Sequence, residues 1–110
     1  MLLNNPTLGD YLADRQGMTL YYFTNDSPGK STAGTSVIQN WPVFNPFSFV
    51  VPSQLTAGDF TVIFRDDGIK QATYKGYPLY YYVNDQSSGD TKGQGVGGKW
   101  FAVVPATFAP

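Results

Sequence analysis

At 110 residues with a formal charge of −1, the chain has room for one domain and no field able to hold a polyanion such as nucleic acid. Cysteine, histidine and glutamate are all absent, which excludes disulfides, thiolate nucleophiles and most metal-ligand and acid–base sets. Hydrophobic residues make up 42%, with eight Phe, eight Tyr and two Trp to build a core, yet no run approaches the ~18 apolar residues of a membrane span.

The opening stretch, Met1-Leu2-Leu3-Asn4-Asn5-Pro6, lacks the basic and apolar regions of a signal peptide, so a directly made mature form or a removed leader is expected. Residues 11–15 and 19–24 then read as a hairpin turning at Gln16-Gly17. Asn25-Asp26 stops the second strand, and a loop of about fourteen residues leads to Trp41. The connector, residues 42–60, holds Pro42, Pro46 and Pro52, which exclude it from central strands. Its Phe44, Phe47, Phe49, Val50 and Val51 predict a cover packed across a sheet, with at most a helical turn near residues 53–57.

Beyond the connector a three-strand meander is expected. Residues 60–65 alternate, with Phe60, Val62 and Phe64 on one face and Thr61, Ile63 and Arg65 on the other. Asp66-Asp67-Gly68 turns the chain, residues 69–74 return, Lys75-Gly76 turns again and residues 78–83 run on. Residues 100–104 form a last strand.

Displacing the sequence by 59 residues aligns residues 17–41 with residues 76–100 without a gap. Ten of 25 positions are identical: Gly17/Gly76, Leu20/Leu79, Tyr21/Tyr80, Tyr22/Tyr81, Asn25/Asn84, Asp26/Asp85, Thr32/Thr91, Gly34/Gly93, Val37/Val96 and Trp41/Trp100. Two copies are too few for a solenoid. The expectation is therefore an all-β fold, a small single-domain antiparallel sandwich or barrel-like structure over residues 1–110. Its pseudo-twofold repeats would span residues 10–46 and 69–105, with little or no helix.

Tyr21-Tyr22-Phe23 and Tyr80-Tyr81-Tyr82 place large aromatics on both faces of their strands. One face is core. The other is either covered by the connector or open as a strip that stacks on sugars and flat ligands, or that mediates assembly. Tyr21, Phe23, Asp26, Trp41, Tyr80, Tyr82, Asp85 and Trp100 are the binding or assembly candidates. Asp26 and Asp85 follow the strand directly, where a carboxylate accepts backbone N–H groups and fixes the loop. The other reading is a hard-cation site of Asp85, Asp90 and loop carbonyls, but residues 85–90 do not follow the EF-hand pattern, and no metal or other cofactor is expected.

The run Gly93-Gln94-Gly95-Val96-Gly97-Gly98 satisfies G-x-G-x-x-G but leads into a strand rather than a helix, so it is no phosphate cradle. No two Asp residues are placed as a glycosidase pair, and no catalytic set is identified. Haem ligation is left to Met1, Met18 or Tyr and is the remotest reading.

The segments Leu20-Tyr21-Tyr22-Phe23-Thr24-Asn25-Asp26, Trp41-Pro42, Asp67-Gly68, Tyr74-Lys75-Gly76, Pro78-Leu79-Tyr80-Tyr81-Tyr82 and Gly89-Asp90-Thr91 together carry a resemblance. The chain resembles the secreted-repeat family of predicted lipoproteins marked by a Tyr-x-(Phe/Trp/Tyr)-x-x-Asp motif, here Tyr21/Phe23/Asp26 and Tyr80/Tyr82/Asp85. The resemblance covers roughly residues 9–105 and implies an exported or envelope-attached protein of unknown biochemical function. Many members carry a Cys pair eight and four residues before the Trp-Pro. Ala33 and Val37 stand there instead, and the lipid-attachment Cys is missing too.

Two functions follow as expectations. The first is a non-enzymatic exported cell-surface module with a structural or self-assembly role in a surface layer, sheath or filament. Its partners would be itself, as a homo-oligomer or polymer, or other envelope components. The second is a module binding carbohydrate or another small planar ligand of the envelope.

Overall fold

A computed structural model of the chain describes residues 1–45 and 51–110. Among the described residues the chain forms three small antiparallel sheets with almost no helix. Strand β1, Leu2–Asn5, pairs with β2, Gly9–Leu12. Asn5 was not expected to end a strand, but its Oδ1 accepts the N–H groups of Thr7 and Leu8 and folds the chain back. After β2, Ala13 bridges Thr19, and the turn begins at Asp14 rather than at Gln16. Asp14 Oδ1 accepts the N–H groups of Gln16 and Met18 at 2.9 and 3.0 Å, so this carboxylate takes the position expected for strand.

Strand β3, Tyr21–Phe23, leads into the first loop, and after the connector β4 (Phe60–Phe64), β5 (Lys70–Tyr74) and β6 (Tyr77–Pro78) form a meander in the order β4-β5-β6. Its third strand is shorter than the expected residues 78–83 because Tyr80, Tyr81 and Val83 pair instead with the first half of the chain. Lys75 at φ 48° and Gly76 at φ 87° make its second turn. A Cβ at residue 76 would also lie 2.7 Å from Pro28 Cβ, so glycine is required there twice over. Strand β7, Trp100–Ala102, closes the fold against β3.

The two copies meet along a central ladder in which each rung joins one half to the other. Tyr21 N–H donates to the Tyr80 carbonyl at 2.8 Å, and Tyr80 N–H donates to the Tyr21 carbonyl at 2.9 Å. On one side Tyr21, Tyr22 and Phe23 pair with Ala102, Phe101 and Trp100. On the other, Tyr80 bridges Val43, and the N–H groups of Tyr81 and Val83 donate to the carbonyls of Pro42 and Asn40. Shifting any of these pairs by 59 residues gives its counterpart: Thr24 to Lys99 matches Val83 to Asn40, and Val103 to Leu20 matches Phe44 to Leu79. The pseudo-twofold axis passes between Tyr21 and Tyr80.

Alternation along these strands fills two cores. Leu20, Leu79, Leu12, Phe44, Ala72, Tyr74 and Val103 form one cluster, against which Tyr22, Tyr81, Leu55 and Phe60 pack. Tyr21, Phe23, Tyr80, Trp41, Trp100, Ala33 and Ala102 form the other. Leu55 and Phe44 thus supply part of the cover expected of the connector, while Phe47, Phe49 and Val50 lie outside the described residues.

The second cluster is roofed by the two long loops. Each contains a helical turn: α1, Thr35–Ile38, in the first and a 3-10 turn, Val96–Gly98, in the second. A turn was expected instead near residues 53–57, where a 3-10 turn occupies Ala57–Asp59. The loop turns have a shared purpose, since Val37 and Val96 pack onto the cluster from equivalent positions and deliver the following Trp beneath it.

Candidate functional site

The repeated motif forms one buried assembly around the axis. Its polar half is a reciprocal exchange: Tyr21 Oη donates to Asp85 Oδ2 at 2.6 Å, and Tyr80 Oη donates to Asp26 Oδ2 at 2.7 Å. Each tyrosine therefore completes the carboxylate of the opposite copy. The second oxygen of each Asp holds its own loop, with Asp26 Oδ1 accepting Thr32 N–H and Oγ1–H, and Asp85 Oδ1 accepting Lys92 N–H.

Charge and burial set the chemistry of these groups. Burial pushes the Asp85 carboxyl above the usual aspartate range, opposed by the bonds from Tyr21 and Lys92. Burial, followed by the carboxylate contact, also raises the Tyr21 phenol well beyond its ordinary range. Tyr80 is raised by burial too, against the pull of Ser31. Such phenols are proton donors that hold their protons, unsuited to act as bases near neutral pH.

The aromatic half is a stack of four rings in the order Phe23, Trp100, Trp41, Tyr82. Neighbouring centroids are 4.1, 3.9 and 4.1 Å apart, and the two indoles are within 4° of parallel. The edges of Tyr21 and Tyr80 close against Trp41 and Trp100 at 5.4 and 5.1 Å. Offset and edge-to-face contacts of this kind add ~0.5–1.5 kcal/mol per pair beyond area burial.

The structure thus brings all eight sequence-selected residues to one place. Tyr21, Phe23, Asp26, Trp41, Tyr80, Asp85 and Trp100 are each no more than 8% exposed, and Tyr82 is half-buried at the end of the stack. Asp90 does not join them in a cation site. Its Oδ2 accepts the N–H groups of Gln86 and Ser87, and among the described residues no group of three or more acidic side chains is placed to hold a metal.

Other contributors were not singled out as site residues from sequence. Ser31 Oγ lies 2.6 Å from Tyr80 Oη and accepts Arg65 Nη1–H at 2.6 Å, while Arg65 Nη2 donates to the Ala33 carbonyl. Asp67 pairs with the same guanidinium at 3.1 Å, and the Arg65 side chain is only 6% exposed. Gly93 N–H donates to Tyr21 Oη at 3.1 Å, and Asp14 Oδ2 accepts Tyr81 Oη–H at 2.7 Å. The Gly34/Gly93 identity was a signal for Gly93. Nothing in the sequence marked Arg65, Ser31 or Asp14.

On the opposite side of the β3–β7 pair, Thr7, Tyr22, Gln94, Phe101 and Phe108 border a cavity of about 230 Å³. Gln94 Oε1 accepts Ala102 N–H at 2.7 Å, which fixes the side-chain amide at this wall.

A family model described as a secreted repeat of unknown function matches residues 3–45 and 61–104, one match for each half. Neither the curated proteins nor the solved structures yield a match.

Proposed function

The chain belongs to the secreted-repeat family of unknown function, and from that membership we propose that it is a non-enzymatic exported module with a structural role at the cell surface, assembling with copies of itself or with other envelope components. The observation that carries this reading is the fate of the motif. The phenols of Tyr21 and Tyr80 and the carboxylates of Asp26 and Asp85 are consumed by one another and by loop N–H groups, so the motif builds the fold. Low charge and open strand edges favour contact between copies, because exposed edges are normally guarded by charge or proline. Among the described residues no helix is long and apolar enough to cross a membrane.

Negative-stain electron microscopy of the purified chain over a rising concentration series tests the reading. Sheets, tubes or discrete oligomers are expected. Monodisperse monomers at every concentration, with no association on adding envelope extract, would sink it.

A second reading, a module for a neutral saccharide, is favoured by the cavity beside Tyr22 and Phe101. Its lining combines aromatic rings with the amide of Gln94 and the hydroxyls of Thr7 and Thr107, and contains no charged side chain. Calorimetric titration with envelope sugars would give binding that Phe101→Ala removes. A flat titration across neutral sugars counts against it.

A further inference from the structure

Among the described residues, strand β4 lies at the outer edge of its sheet, since the order is β4-β5-β6. The pairing with β5 fixes which backbone groups point outward. Lys75 N–H donates to the Asp59 carbonyl and Arg65 N–H donates to the Ile69 carbonyl, in the same register as Thr61↔Thr73 and Ile63↔Gln71. Residues 59, 61, 63 and 65 therefore bond inward, and the N–H and C=O groups of Val62 and Phe64 face the open edge. The side chains of Val62 and Phe64 share the face of Ala72 and Tyr74, at the border of the first core, yet are 48% and 70% exposed.

Two further features identify what fits this edge. The strand, Phe60-Thr61-Val62-Ile63-Phe64, contains no charge and no proline, so it lacks the usual guards against pairing. It is also nearly palindromic about Val62. An antiparallel partner of the same sequence would set Val62 opposite Val62, Thr61 opposite Ile63 and Phe64 opposite Phe60, with all apolar side chains of one face continuing from core to core. Other sequences would need to match this register; a second copy does so by symmetry.

We infer that β4 is the contact between two copies of this chain, paired edge to edge about a twofold axis at Val62. The inference rests on the self-assembly reading above and names its surface. Because the chain has no cysteine, single-cysteine variants report the register directly. Opposed Cα atoms in such a pair are ~5.5 Å apart, within disulfide reach, whereas two copies of residue 64 would be offset by four residues, or ~13 Å.

The experiment compares sedimentation of wild type and Val62→Lys with the oxidation rates of Val62→Cys and Phe64→Cys, using aromatic circular dichroism to verify that each variant keeps the ring stack. Wild type should self-associate and Val62→Lys should stay monomeric. Val62→Cys should cross-link ~10-fold or more faster than Phe64→Cys, despite residue 64 being the more exposed, because docked thiols meet at high effective concentration. If wild type and Val62→Lys associate equally, and Phe64→Cys links as fast, the β4 contact is wrong while the assembly reading stands. A wild type that never associates overturns both.

Discussion

A phenol that donates to a buried carboxylate makes a charge-assisted bond about twice as strong as a neutral pair, and removing either partner leaves the other unsatisfied at a cost of ~1–3 kcal/mol. Tyr21, Tyr80 and Tyr81 all donate in this way, to Asp85, Asp26 and Asp14. Burial is the largest cause that raises each phenol above its ordinary value of 10.0. In the unfolded chain these tyrosines lose their protons near that ordinary value, while in the folded chain they hold them to higher pH. The unfolded state then binds fewer protons, so stability falls as pH rises past the ordinary range. Ultraviolet titration should show a late cooperative phenolate phase that coincides with unfolding, reduced by one tyrosine in Tyr81→Phe. Smooth ionisation of all eight tyrosines before any loss of aromatic dichroism would contradict this.

At the scale of elements, the two loops are alike in pattern and different in packing. A Cβ at Gly93 would lie 2.8 Å from Tyr21 Cζ and 2.9 Å from the Trp41 ring, whereas one at Gly34 meets nothing within 4 Å. Gly93→Ala should destabilise by ~1–3 kcal/mol through overpacking, and Gly34→Ala by under ~1 kcal/mol; chemical denaturation of the pair measures the difference. Equal costs would mean that the loops pack alike.

The same contrast explains what sequence could and could not show. The meander β4-β5-β6 was legible because its residues alternate and Asp67-Gly68 and Lys75-Gly76 punctuate it locally. The matching of the halves was legible because ten identities share one offset. Strand β1 was not, since Asn4 and Asn5 are poor strand formers and its order comes from pairing with β2 and from the Asn5 turn. Which faces were buried was open as well. Strand periodicity says that Tyr21 and Tyr22 diverge, but only tertiary packing stacks Trp41 on Trp100 and covers both faces.

For the molecule as a whole, the repeat is a device in which neither half is complete. The central ladder, both tyrosine–carboxylate bonds and the indole stack all join one half to the other. This accounts for a motif that pairs a tyrosine with an aspartate five residues on without the two bonding: the partner of each lies in the opposite copy. A double-mutant cycle on folding stability tests the reciprocal exchange most directly. Tyr21→Phe with Asp85→Asn should give a coupling energy of ~0.5–3 kcal/mol, while Tyr21→Phe with Asp26→Asn should add to within ~0.5 kcal/mol. Coupling of Tyr21 to Asp26 instead of Asp85 would contradict it.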